Sequence, residues 1–210
     1  GDEAAVAQMA RVSYGKGTKS INEDKGLLRY LMRHRHTSPY EGNEIKLHIK
    51  MPIFVMRQWI RHRTANVNEY SARYSEMPDE FYFPELEQIK LQSLANKQGS
   101  GEAAELKSKK SFLDALHQQC AHAFKNYSTA LGDKLSREMA RIGLPLNIYT
   151  ECYWKIDLHN LLHFLGLRCD PHAQYEIRVY ADIILNEIVK LWVPNIHQAF
   201  HDYVINGATF

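Results

Sequence analysis

The stretch "EIKLHIKMPIFVMRQWIRHRTANVNEYSARY", residues 44–74, changes its pattern twice. Residues 44–50 alternate strictly between charged or polar and apolar side chains, which predicts a half-buried β-strand. Pro52 suits the first turn of a helix that carries the chain through Trp59. The residues after that helix are rich in cations. A strand, a helix and a cationic segment in direct succession indicate a mixed fold that carries a polar site.

Helical patterns continue in the rest of the chain. Residues 24–35 and 111–130 carry apolar side chains at helical spacing. Asp157 is placed to cap a further helix that begins at Leu158. Two more helices are predicted near the end of the chain, over residues 173–192 and roughly 195–204.

Two segments lack a clear pattern. Residues 144–154 fit neither the helical nor the strand period, and residues 86–110 are polar enough to form an exposed or mobile excursion. We expect an α+β fold, with a mostly antiparallel sheet packed by several helices in a single domain over residues 1–210.

The composition indicates an ordinary globular protein, because 45% of the 210 residues are hydrophobic and 24% are charged. A net charge of +2 is too small to indicate nucleic-acid binding. No apolar run approaches the roughly 20 residues of a membrane helix, and the first residues show no signal peptide. Three cysteines without CxxC spacing favour neither a disulfide framework nor a zinc site, so we expect a cytoplasmic protein.

The cationic segment between Arg57 and Arg73 is the first candidate site. Guanidinium groups bind phosphate through two hydrogen bonds and stay charged, so this segment is typical of an anion site. Arg61, His62 and Arg63 are adjacent and cannot share one face of a helix or strand. They reach one ligand only if the backbone turns there. The alternative is a helix end whose negative pole the cations complement.

Histidines form a second candidate site. His159 and His163 are four residues apart on one helix face, and His172 follows as a third imidazole. This spacing is found in metal sites, but the glutamate of the HExxH motif is missing. The alternative is a pair of partly buried, hydrogen-bonded histidines.

The segment "LRCDPHAQYE", residues 167–176, is the third candidate. Arg168 ends one predicted helix and projects from a turn, where it either caps helix carbonyls or points a cation into a cleft. Cys169, beside Arg168 and His172, is a candidate nucleophile, since a nearby cation lowers the pKa of a thiol.

These segments together resemble a known family. The pattern Arg-His-Arg, seven residues, Ser in "RHRTANVNEYS" (61–71) is similar to the signature of the flavin-dependent thymidylate synthases. Other blocks resemble the same family in its order and near its spacing: "ARVSY" (10–14), "HTSPYE" (36–41), "RQWIRHR" (57–63), "NEYSARYS" (68–75), "ARIGLPLNIYT" (140–150), "LLHFLGLR" (161–168) and "HAQYEI" (172–177).

The chain departs from the family at three places. Gly42 stands where many members have His, and Asp157 and His159 stand where others often carry Asn and Arg. The stretch before "ARVSY" is short, so we expect the chain to begin inside the family's first strand.

The resemblance implies the family's reaction, the reductive methylation of dUMP to dTMP. The methylene group comes from 5,10-methylenetetrahydrofolate, which leaves as tetrahydrofolate, and NADPH supplies electrons through FAD. It also implies a homotetramer with active sites between subunits, and no nucleic-acid, membrane or resident metal partner. FAD and dUMP both carry phosphates, which agrees with the excess of arginine. The redox chemistry belongs to the flavin, and the protein orients the reactants.

The resemblance assigns roles by position. The residues implied to bind FAD are Arg61, His62, Arg63, Asn68, Glu69, His163, Glu44, Asp157, His159 and His172. The residues implied to bind dUMP are Gln58, Arg61, Glu69, Ser71, Ala72, Arg73, Arg141 and Arg168. Arg168 is the predicted catalytic residue, and neither a cysteine nor Ser71 is expected to act as a nucleophile.

Two functions of other classes remain open from the residues alone. One is a metal hydrolase that uses His159, His163 and His172. The other is a nucleic-acid-binding module that uses the segment from Arg57 to Arg73, although the near-neutral net charge counts against it.

Overall fold

A computed structural model describes residues 1–12, 21–97 and 99–207 of the chain. The α-helices are α1 (Glu3–Arg11), α2 (Ile21–Arg33), α3 (Ser38–Glu41), α4 (Ile53–Trp59), α5 (Leu106–Gly132), α6 (Arg137–Ala140), α7 (Leu158–Arg168), α8 (Tyr175–Ile183), α9 (Lys190–Trp192) and α10 (Pro194–Phe200). The strands are β1 (Glu44–Pro52), β2 (Asn66–Glu69), β3 (Lys90–Gln92), β4 (Ser100–Ala103) and β5 (Tyr149–Asp157). Short 3₁₀ segments lie at Leu86–Gln88 and Arg141–Gly143, and π-helical turns at Ile184–Val189 and His201–Ile205.

The strands form two sheets. One has the order β1-β5-β2, and the other is the pair β3-β4, which is antiparallel. An antiparallel bridge also joins Phe81 to Ile148. Helices and strands are therefore mixed without a regular βαβ alternation, and the predicted α+β class is confirmed.

The opening stretch forms the elements that its pattern predicts. In β1 the side chains at 45, 47 and 49 are less exposed than their charged neighbours, so the alternation reflects a half-buried strand. Helix α4 follows at once, with Pro52 as its N-cap residue in extended conformation. Pro52 thus precedes the first turn, where its missing N–H costs no hydrogen bond.

Helix α7 also begins and ends as predicted. Asp157 is its N-cap, and its carboxylate accepts a hydrogen bond from the Asn160 N–H over 2.9 Å. The helix ends at Arg168. The unassigned segment 144–154 contains most of β5, whose buried positions alternate only after Tyr149. The apolar residues before β5 belong to a turn, which explains why the whole segment has no single period.

The expectation that the chain begins inside a strand is wrong, because residues 3–11 form helix α1. Asp2 caps it by accepting a hydrogen bond from the Ala5 N–H over 3.0 Å, and Val6 and Ala7 are fully buried. The alanine-rich sequence favours a helix. Ser13 and Tyr14 of the "ARVSY" block lie outside the described residues.

The polar excursion contains the β3-β4 hairpin and the start of α5, and most of its described residues are exposed. In the described part of the chain, no helix combines the length and apolar character needed to cross a membrane. The cytoplasmic location stays a prediction.

The described residues fall into two compact units. Unit 1 comprises residues 1–47, 62–66 and 154–210, and unit 2 comprises residues 48–61 and 67–153. The prediction of a single domain over residues 1–210 stays a prediction.

Unit 1 is mostly helical. Helix α7 packs against α3 and α8, and α10 packs against α2. Its fully buried side chains include Trp154, Leu158, Leu161, Phe164, Leu165 and Phe200. The buried side chains of α7 leave its last residue at the edge of this core.

The core of unit 2 forms around Met77, Tyr127 and Ile148. The hydroxyl of Tyr127, on the long helix α5, accepts a hydrogen bond from the Met77 N–H over 2.9 Å. This bond attaches the loop after residue 73 to α5.

Candidate functional site

At the end of α7, two of the predicted site residues form a hydrogen bond with each other. The Nε–H of Arg168 donates a hydrogen bond to Nε2 of His62 over 3.1 Å. Both side chains belong to unit 1 and are half-buried. Arg168 therefore does not use this donor on the carbonyls of its own helix, in contrast to the capping alternative.

The ring of His62 packs against side chains of α7. It meets the ring of Phe164 edge-on, with centroids 4.9 Å apart, and that of His163 with centroids 6.2 Å apart. Burial and the charges of Arg168 and His163 lower the pKa of His62 to about 4. His62 is therefore neutral at physiological pH, and its Nε2 lone pair is available to accept a hydrogen bond.

Unit 1 also contains a cavity of about 910 Å³ that is rich in cationic and imidazole groups. Its polar lining includes Arg33, His34, Arg35, His36, His159 and His163, and among the described residues that line it none is acidic. Apolar side chains such as Leu162 and Phe200 complete the wall. The cavity suits an anion attached to an apolar or aromatic group.

The end of α2 supplies this cationic run. Arg35 has a φ of 55°, the left-handed conformation usual after a helix end, and the His36 N–H donates to the Leu31 carbonyl over 2.9 Å. The run "RHRH" at 33–36 was a signal in the sequence that the site prediction did not use.

In unit 2, a buried threonine anchors a predicted ligand residue. Glu69, at the end of β2, accepts a hydrogen bond at Oε1 from the Thr150 hydroxyl over 2.9 Å. The hydrogen bond fixes the carboxylate, although Glu69 and its neighbour Asn68 are both exposed residues.

Residues 71–75 form a turn. The Ser71 hydroxyl accepts a hydrogen bond from the Arg73 N–H over 3.3 Å, and Ala72 packs against the core of unit 2. Arg73 pairs with Glu138 over 3.2 Å, and both side chains are more than half exposed. Such a surface pair is weak, so Arg73 can exchange this partner for a ligand at little cost.

Four other predicted residues are half-buried or exposed. Gln58 lies in the last turn of α4, and Arg61 in the turn that follows this helix. Arg141 begins a 3₁₀ turn, and Arg63 follows His62. Among the described residues, no carboxylate pairs with Arg61, Arg63 or Arg141.

Two predicted FAD residues have local partners. Glu44 pairs with Lys155 over 2.6 Å, and His172 with Asp170 over 2.9 Å at the surface. In the described part of the chain, no group of three or more His, Cys, Asp or Glu side chains is arranged to hold a metal ion.

Cys152 and Cys169 have raised pKa values. Burial and Asp182 raise the pKa of Cys169 to about 12, and burial and Glu69 raise that of Cys152 to about 11. Cys120 is buried and exchanges hydrogen bonds with the Asn147 side chain. The proximity of Arg168 in sequence does not activate Cys169.

Comparison with known proteins identifies the family of this chain. The model of the family described as "Thymidylate synthase complementing protein" matches residues 1–195. The chain is 57% identical over 208 residues to the flavin-dependent thymidylate synthase of Wolbachia pipientis wMel, covering 99% of this chain and 73% of the relative. It is 55% identical to that of Gluconobacter oxydans strain 621H, covering 100% and 70%. The chain belongs to the flavin-dependent thymidylate synthase family.

Solved structures agree with this membership. The UMP/dUMP methylase PolB from Streptomyces cacaoi, bound with 5-Br UMP, superposes with a TM-score of 0.87 at 31% identity, covering 97% of this chain and 90% of that one. The same enzyme bound with 5-Br dUMP gives a TM-score of 0.85, covering 95% and 90%. The fold of this flavin-dependent thymidylate synthase family member is thus confirmed.

The three positions that depart from the family pattern, Gly42, Asp157 and His159, have different surroundings in the structure. A side chain at Gly42 would begin 2.0 Å from the Met9 sulfur, so Met9 takes the space next to that backbone. Asp157 caps α7, a role that Asn also performs well, whereas His159 lines the cationic cavity.

Sequence reasoning missed several residues around the predicted site. Phe164 supports His62, Thr150 holds Glu69, and Glu138 pairs with Arg73. Thr150 and Phe164 lie within the blocks that resemble the family, but nothing local marks them as partners of residues about a hundred positions away.

Proposed function

We propose that this chain is a thymidylate synthase that converts dUMP to dTMP by reductive methylation. The methylene donor is 5,10-methylenetetrahydrofolate, and the reductant is NADPH acting through FAD. The observation that carries the proposal is the family match over residues 1–195 together with the complete "RHRTANVNEYS" signature. The solved relative bound to 5-Br dUMP supports a uracil nucleotide as substrate.

The donor set of the chain fits FAD. The pyrophosphate of FAD is an anion and needs cationic partners. The exposed side chains of Arg61 and Arg63 have no carboxylate partner among the described residues. FAD, when bound, passes electrons from NADPH to the methylene group in transfer. The residues proposed to hold it are Arg61, His62, Arg63, Asn68, Glu69, His163, Glu44, Asp157, His159 and His172.

The protein's own residues would orient and polarise dUMP. We assign its binding to Gln58, Arg61, Glu69, Ser71, Ala72, Arg73, Arg141 and Arg168. The cations Arg73 and Arg141 suit its phosphate. Arg73 would leave Glu138 when the nucleotide binds.

Arg168 is the proposed catalytic residue. The C5 carbon of uracil is a poor nucleophile until electron density moves into the ring, and that density collects along the N3–C4=O4 edge. A half-buried guanidinium held beside this edge stabilises the charge more than one in water does. Burial lowers the pKa of Arg168 but leaves it a permanent cation.

A thiol nucleophile is unsupported, because the pKa values of Cys152 and Cys169 lie far above neutral. We also propose a homotetramer with active sites between subunits, and a single domain over residues 1–210. No observation in the described residues favours a metal hydrolase or a nucleic-acid-binding module over this function.

The test begins with the absorbance spectrum of purified protein. We expect flavin bands, release of FAD on denaturation, and dTMP from dUMP, methylenetetrahydrofolate and NADPH. NADH in place of NADPH, and omission of each substrate in turn, serve as controls. Protein that stays colourless after incubation with FAD, or that makes no dTMP, would refute the proposal.

A further inference from the structure

We propose that His62 is a positioning residue for Arg168: its neutral Nε2 accepts the Arg168 Nε–H and thereby sets the direction of the guanidinium. This inference rests on the proposed function, in which Arg168 acts on the uracil ring. It gives His62 a task distinct from contact with the flavin.

The bond uses one of the five guanidinium donors of Arg168. Arg168 Nε lies 3.1 Å from His62 Nε2, which leaves both terminal nitrogens and their four N–H groups for other partners. A guanidinium is planar, so fixing Nε fixes the plane and the fork of the terminal nitrogens. His62 therefore determines where the charge of Arg168 points.

The geometry of α7 explains why the His62 ring stays in place. Phe164 and Arg168 are four residues apart, so they lie on one face of the helix, one turn apart. Phe164 is fully buried, and the His62 ring packs edge-on against it with centroids 4.9 Å apart. The imidazole of His62 thus packs against the buried ring of Phe164 and bonds to Arg168, which lies one helical turn further along α7.

The bond requires one tautomer. Because Nε2 accepts, the ring proton must lie on Nδ1. Among the described residues, Arg168 and His163 are the charged or titratable groups that lower the pKa of His62, and burial lowers it further. Nδ1–H is then the only ring donor that His62 can offer to a bound ligand.

Two substitutions of His62 distinguish the effect of its hydrogen-bond acceptor from the effect of its aromatic ring. His62→Phe keeps an aromatic ring against Phe164 and removes the acceptor, whereas His62→Gln keeps an acceptor oxygen. We expect His62→Phe to lower the rate of dTMP formation at saturating dUMP by about tenfold to a hundredfold, the scale of one hydrogen bond to a charged group. His62→Gln should recover most of the rate. Because His62 is also proposed to hold FAD, both variants are assayed at saturating FAD, and the rate of dTMP formation is expressed per bound flavin and compared with the rate of flavin reduction by NADPH.

The matched control is His122→Phe on α5, because His122 is exposed and its ring forms a hydrogen bond with Asn126 on the same helix. We expect wild-type rates from it. A double-mutant cycle then tests whether the effect of His62 depends on Arg168. In an Arg168→Ala background, His62→Phe should change the rate by less than about twofold. An undiminished effect in that background, or a normal rate in His62→Phe, would overturn the inference.

A measurement without turnover separates this inference from the proposed function. Imidazole ¹⁵N NMR of the wild-type protein at neutral pH should show His62 protonated at Nδ1 and unprotonated at Nε2, and Arg168→Ala should shift it towards the Nε2–H form. A wild-type Nε2–H tautomer contradicts the inference even if dTMP is formed. Absence of dTMP with the expected tautomer refutes only the proposed function.

Discussion

The hydroxyl of Thr150 donates a hydrogen bond to Glu69 Oε1 over 2.9 Å, although 81 positions separate the two residues. Thr150 is only 4% exposed, so its hydroxyl is held rigidly by the surrounding core. The carboxylate of Glu69, proposed to touch both dUMP and flavin, is therefore fixed by Thr150, a residue to which we assign neither ligand.

Thr150→Val removes this bond with little change in side-chain shape. We expect the Kd for dUMP to rise about fivefold to tenfold, corresponding to about 1 kcal/mol for one lost hydrogen bond. Titration calorimetry measures it, with Thr129→Val on the exposed side of α5 as the control. Unchanged dUMP and FAD affinities would show that Glu69 needs no anchor.

Arg168→Ala should lower dTMP formation by roughly a hundredfold or more, the scale for losing one preorganised electrostatic stabiliser. Much of that loss should persist at saturating dUMP. Flavin reduction by NADPH should survive, because that half-reaction needs no charge on the uracil ring. Both rates are measured on one preparation, and near-normal dTMP formation would remove Arg168 from catalysis.

The pKa of His62 predicts a pH dependence of stability. It is lowered from 6.5 to about 4 in the folded protein, so the unfolded chain binds the proton first as the pH falls. The contribution of His62 to the free energy of unfolding is complete above about pH 6.5 and is lost as the pH falls towards 4.

Urea denaturation between pH 4 and pH 8 measures this effect. The wild-type protein should lose more stability on acidification than His62→Phe, and His122→Phe should behave like the wild type. Part of the slope will remain in His62→Phe, because burial also lowers the pKa of His197. Parallel curves for the wild type and His62→Phe would contradict the lowered pKa of His62.

Replacement of all three cysteines by serine should leave dTMP formation in the folded fraction. Alkylation of Cys152 and Cys169 at neutral pH should be slow, since burial raises the pKa of both thiols. Some loss of stability is expected at Cys120, which is buried against Asn147. A Cys169→Ser protein that folds and binds FAD and dUMP but makes no dTMP would restore the thiol hypothesis.

Two substitutions of Asp157 distinguish its role as the N-cap of α7 from the effect of its negative charge. Asp157→Ala should lower the free energy of unfolding by about 1 kcal/mol, because the α7 cap is lost. Asp157→Asn keeps the cap and should retain stability, while removing a negative charge from the proposed FAD site. We expect Asp157→Asn to bind FAD at least as tightly as the wild type. Equal stabilities of the Ala and Asn variants would show that the cap is unimportant.

The sequence determined the elements that depend on neighbouring residues. The alternation of residues 44–50 led to β1, and Asp157 marked the start of α7, because burial period and helix capping act over a few positions. The long cationic signature also identified the family, since its residue types and spacing are read directly from the chain.

Tertiary structure decided which polar groups pair. His62 meets Arg168 across 106 positions, and Thr150 meets Glu69 across 81. The ionisation of His62 and Cys169 likewise depends on burial and on charges brought close by folding. Hydrogen bonds and electrostatic shifts act over a few ångströms in space, so residues distant in sequence acquire these properties only when the chain is folded.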